Sequence, residues 1–136
     1  MPEQLEMVLR ILLAAGLGAI IGVQREWSGK PAGIRTLPLI SMGAALFAIV
    51  SGIGFTGGDP ARIAAGVVTG VGFLGAGAIL HRHGGVEGLT TAASIWGVAG
   101  IGLAAGTGLY LISVVATAIA LVILFIPHIS PPKNKK

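Results

Sequence analysis

The amino-acid sequence predicts an all-α membrane protein, a bundle of five transmembrane helices packed through glycine. Three observations carry that prediction. Hydrophobic residues make up 54% of the 136-residue chain and charged residues only 10%, with a mean hydropathy of +0.90; a soluble domain carries roughly 25% charged residues. The apolar residues fall into runs close to membrane-spanning length. Glycine recurs inside those runs, above all across Arg62–Ala105, where two apolar stretches flank the polar loop HRHGGVEG. Glycine weakens helices in water, yet it lets membrane helices bring their backbones together.

The runs are Val8–Val23, Leu37–Phe55, Ile63–Leu80, Leu89–Ala105 and Leu109–Ile126, each about 16 to 19 residues. The first is not a cleaved signal peptide, because its flank MPEQLE is acidic where a signal needs basic residues. Thr36 is placed to cap the second span, with Pro38 tolerated in its first turn. Asp59-Pro60 opens the third with a capping acid and a proline at the first helical position. Thr90 or Thr91 starts the fourth. Only Gly106-Thr107-Gly108 separates the fourth from the fifth, and a single helix there would be nearly twice too long, so a tight turn is expected. Pro127 ends the fifth. Residues 1–127 thus read as one transmembrane domain, followed by a short basic tail, 128–136, which is either a solvated end or a contact for anionic headgroups.

Basic residues set the orientation. With the N-terminus outside, Arg25, Lys30, Arg35, Arg82, Lys133, Lys135 and Lys136 face the cytoplasm, leaving only Arg10 and Arg62 outside. Seven against two is a positive-inside bias, so the C-terminus is expected to be cytoplasmic. The net charge of +4 forms no basic stripe with interleaved aromatics, which argues against nucleic acid. The absence of cysteine excludes disulfides and thiolate metal sites.

Gly70-Val71-Gly72-Phe73-Leu74-Gly75 matches the dinucleotide pattern G-x-G-x-x-G but lies inside an apolar span, without the strand that motif requires. Helix packing is the expected role of Gly66, Gly70, Gly72, Gly75, Gly77 and Gly97, with Gly66/Gly70, Ala93/Gly97 and Gly102/Gly106 as small-xxx-small pairs. At the cytoplasmic end, Arg25, Glu26, Arg35, Thr36, Glu87, Thr90 and Thr91 form the candidate polar cluster. Two readings stand for it: a Glu26–Arg35 pair fixing the first hairpin, or Glu26 and Glu87 as ligands of a hard cation such as Mg²⁺ or as a proton site. At the other end, Asp59 reads as a helix cap, with Arg62 one turn on. Histidines two apart in His81-Arg82-His83 do not face one ligand. Trp27 and Tyr110 suit interfacial anchoring at opposite faces, and Trp96 suits helix packing. Ser94 has no His–Asp partnership and no nucleophile–base pair is visible, so an enzyme is not expected.

QREWSGKPAGIRTLPLISMGAALF, DPARIAAGVVTGVGFLGAGAIL and VEGLTTAASIWGVAGIGLAAGTGLY together resemble the MgtC/SapB family of bacterial inner-membrane proteins. The resemblance runs from about Ala14 to Tyr110, and its pattern falls on Arg25, Glu26, Gly33, Arg35, Thr36, Asp59, Arg62, Gly70, Gly72, Gly75, Gly77, Gly88, Thr90 and Thr91. It implies five inner-membrane helices, a link to magnesium limitation and intracellular survival, and a regulator that restrains the F-type ATP synthase. Longer members carry a soluble C-terminal domain, so the resemblance is to a short form. A small bundle of this kind is expected to form a homo-oligomer, most simply a dimer.

Overall fold

The computed structural model describes residues 2–82 and 85–129. Five helices follow one another as α1 (Glu3–Trp27), α2 (Thr36–Ile53), α3 (Pro60–Gly77), α4 (Leu89–Gly106) and α5 (Tyr110–Phe125). Two short antiparallel strands, β1 (Leu80–Arg82) and β2 (Gly85–Glu87), join α3 to α4. Among the described residues, α1 to α4 are long and apolar enough to cross a membrane, while α5 is apolar but only 16 residues long. The expected tail lies almost entirely outside the described residues, as does His83; of the side chains of His81 and Arg82 nothing is described.

The helix ends follow local chemistry. α1 carries Glu3 and Glu6 in its first turn and Arg25 in its last, as the helix dipole favours. Asp59 caps α3 as expected, its side chain accepting from the Ala61 N–H at 2.9 Å with Pro60 inside the first turn. Asp59→Ala should therefore cost about 1 kcal/mol, read as a lower unfolding midpoint. Two caps differ from expectation. Arg35, without a side-chain cap bond, precedes α2, and Thr36 is already helical. Gly88 precedes α4 in the left-handed region, φ 89°, and a side chain there would strike the Ala78 carbonyl group, so Thr90 and Thr91 fall inside the helix. The turn expected at Gly106–Gly108 is present: Gly108 has φ 87°, and the N–H groups of Gly108 and Leu109 bond back to Ala105 and Ala104 at 3.1 and 2.9 Å.

α4 is the hub, packing on α1, α2, α3 and α5. Its inward residues Ile95, Val98 and Ile101 meet Leu17 and Ile21 of α1 and Leu37 of α2 in one core. Small residues let the backbones touch there. A Cβ on Gly18 would lie 2.8 Å from the Leu37 carbonyl oxygen, and one on Gly106 would lie 2.6 Å from that of Ala45. Gly102 sits equally tight against Ser41. Of the expected pairs, Gly102/Gly106 therefore packs within the chain. Around Gly66, Gly70, Gly72, Gly77 and Gly97 an added Cβ would meet nothing within 4 Å, and at Gly75 it would make only ordinary contact with Ala92. The α3 glycines face outward or into a groove because that helix is packed on one narrow side, burying only Val71 and Gly75, while Gly97 of α4 lines a second groove toward α5. Trp96 likewise points away from the bundle, 60% exposed, contrary to the packing role expected of it.

Candidate functional site

The polar end of the molecule is built around the last turn of α1. Helical spacing sends the neighbours Gln24 and Arg25 to different helices, and both are buried. Arg25 is 3% exposed and donates from Nε and Nη2 to the Pro31 carbonyl oxygen at 3.3 and 3.2 Å. Its Nη2 also donates to Thr91 Oγ1, itself buried at the start of α4. One side chain therefore ties α1, the α1–α2 loop and α4 together. Gln24 Nε2 donates to Ser28 Oγ at 3.1 Å and to the Leu124 carbonyl oxygen at 3.3 Å, reaching the end of α5. Its buried Oε1 has no hydrogen-bond partner among the described residues.

The loop that Arg25 holds is tightly wound, with Gly29 and Ala32 both at positive φ, 66° and 57°. Gly33 follows, buried against Glu26: a Cβ there would come within 2.7 Å of Glu26 Cγ. Glu26 accepts from the Ile34 N–H at 3.3 Å and forms no ion pair with Arg35. The expected Glu26–Arg35 pair is thus replaced by a carboxylate folded back on the loop backbone, while Arg35 and Thr36 are exposed. Glu87 and Thr90 are exposed as well. The structure joins Arg25 to Thr91 and Glu26 to the same loop. It does not gather Glu26 and Glu87 with a third ligand, and no group of three His, Asp or Glu that could hold a metal occurs among the described residues.

The opposite end carries a network that sequence reasoning missed. Arg10 donates to Tyr110 Oη at 3.0 Å, to the Gly106 carbonyl oxygen at 3.1 Å and to Glu6 Oε1 at 2.5 Å. Tyr110 Oη donates in turn to Glu6 Oε1 at 2.9 Å, and the guanidinium lies 5.8 Å from the tyrosine ring centre. The four-residue spacing of Glu6 and Arg10 was the available signal. The reach of 100 residues to Tyr110 had none. Asp59 and Arg62 form no such clasp: Asp59 bonds the α3 N-terminus, and Arg62 stands at the mouth of a groove between α2 and α3.

These features define a multi-pass helical membrane protein, locked by hydrogen bonds near both ends and by backbone contact between them. The chain belongs to the MgtC family, whose model matches residues 11–129. It is 48% identical over 131 residues to the "Putative magnesium transporter YhiD" of Escherichia coli K12, covering 90% of this chain and 61% of the relative. It is 46% identical over 114 residues to "Protein MgtC" of Salmonella typhimurium LT2, covering 84% and 49%. An uncharacterized protein of Haemophilus influenzae is 43% identical over 131 residues, covering 89% and 55%. The chain thus spans about half to three-fifths of the length of these curated relatives. No solved structure matches it significantly.

Proposed function

We propose that the chain is a regulatory protein of the bacterial inner membrane, tied to magnesium limitation and membrane energetics, that acts by contact with a membrane partner such as the F-type ATP synthase. The observation that carries this reading is backbone contact between helices combined with outward aromatics. Backbones touch at Gly18, Gly102 and Gly106, while Phe73 and Trp96 project from mid-helix, 82% and 60% exposed. Contact surfaces suit that arrangement; chemistry on a substrate does not, and no enzymatic role is proposed. With five crossings and the positive-inside bias, the N-terminus lies outside and the Arg25 end in the cytoplasm. A homodimer is the simplest assembly. A photo-crosslinker at Trp96 should capture a membrane protein in intact membranes, and expression should lower ATP synthase activity in inverted vesicles. Capture of lipid alone with unaltered activity counts against this function.

A second reading is transport of Mg²⁺ or protons with Glu26 and Glu87 at the cytoplasmic mouth; the name of the Escherichia coli relative supports its magnesium part. On this reading liposomes containing the protein conduct, and Glu26→Gln reduces flux at least tenfold, roughly 1.4 kcal/mol on the rate-limiting barrier. Equal flux in the variant removes Glu26 from the path.

A further inference from the structure

We propose that the groove between α2 and α3 binds one anionic phospholipid, its headgroup at Arg62 and an acyl chain along Gly66 and Gly70. The groove encloses about 620 Å³. On α3 its floor is a stripe of one helical face, from Arg62 through Gly66 and Gly70 to Leu74; Gly43 and Phe47 of α2 form the facing wall. It stays open because side chains that would fill it are absent: a Cβ on Gly43, Gly66 or Gly70 would meet nothing within 4 Å.

The charge pattern selects the occupant. Arg62 is the single charged residue among those lining the groove, and it stands in the first turn of α3, at one end. It forms no ion pair among the described residues, since the nearby Asp59 gives its carboxylate to the Ala61 N–H. From Arg62 to Leu74 is about 18 Å along the helix, roughly the depth of one leaflet of a hydrocarbon core about 30 Å thick. A cation at headgroup level above a leaflet-deep apolar trough matches a phospholipid end to end. A partner helix laid in the same groove would set its apolar flank against the guanidinium and leave that charge unanswered.

Native mass spectrometry of the full chain, titrated with phosphatidylglycerol or phosphatidylcholine, tests the site. The expected result is one retained lipid per chain, with phosphatidylglycerol preferred about fivefold, as one basic residue near an anionic headgroup provides. Arg62→Gln should bring the two lipids to parity, and Arg62→Lys should restore the preference. Gly70→Leu should abolish retention of both lipids while circular dichroism shows unchanged helix content. Wild-type retention and preference in both Arg62→Gln and Gly70→Leu would overturn the proposal. So would a Gly70→Leu chain that keeps its lipid but passes from dimer to monomer, because the groove would then hold a helix of a second copy.

Discussion

Gly102→Ala should destabilise the bundle by about 3 kcal/mol, whereas Gly100→Ala on the same helix should leave it unharmed or stabilise it by up to about 1 kcal/mol. At position 102 the new Cβ would lie 2.9 Å from Ser41 Cα and 2.8 Å from the Ser41 carbonyl carbon, backbone atoms of α2 that no rotamer change can move. One turn on, Gly106 packs in the same way on Ala45, so pushing α2 away from position 102 would loosen that contact as well. Helix propensity pulls the other way, since alanine is favoured over glycine by at most about 1 kcal/mol. The steric term wins by a wide margin. At Gly100 a Cβ meets nothing within 4 Å, and only the propensity term acts. Unfolding in mixed micelles titrated with SDS, followed by circular dichroism, separates the two. Equal midpoints for both variants would refute the backbone contact between α2 and α4.

The second large effect is expected at Arg25. Replacing it with methionine preserves much of the apolar stem but removes every donor to Pro31 and Thr91. The buried Thr91 hydroxyl left unpaired costs about 1–3 kcal/mol and the Pro31 carbonyl group of the exposed loop less, so a total near 2 kcal/mol follows. Thr91→Val should cost only about 1 kcal/mol, because the guanidinium keeps the Pro31 carbonyl group. Arg25→Lys should fall between, since a single ammonium cannot fork to the loop and α4 together. Limited proteolysis reads the local consequence: trypsin should cut after Arg35, exposed at the end of that loop, faster in Arg25→Met than in the parent under folding conditions. Resistance equal to the parent, with an unshifted midpoint, would show that the loop holds without Arg25.

Much of the site's composition was legible, and little of its wiring was. Arg25, Glu26 and Thr91 stood out because charges and hydroxyls are scarce in so apolar a chain. Their partners did not, since a buried guanidinium bonded to a loop carbonyl and a threonine leaves no spacing signature. Glu26 shows the difficulty. Proximity in sequence suggested Arg35, but the loop folds so that the Ile34 N–H lies nearer the carboxylate. For the glycines, the small-xxx-small pattern identified Gly102 and Gly106 correctly but applied equally to Gly66 and Gly70, which face open space. A pattern of small residues marks a flat surface, and says nothing of whether another helix lies upon it.

By itself the sequence determined the number of helices, their approximate limits and the turns between them. Those depend on local quantities: apolar run length, a capping aspartate at Asp59, proline at Pro60 and Pro127, and glycine in the left-handed region at Gly108. The tertiary structure alone decided that α4 is the hub, which glycines touch backbone, and that Arg10 meets Tyr110 while Arg25 meets Thr91. A lipid-facing apolar side chain and a core-facing one satisfy the same hydropathy, because lipid and protein interior are nearly equivalent solvents. Hydropathy therefore locates a membrane helix but cannot rotate it, and rotation is what assembles both polar ends and leaves the α2–α3 groove open.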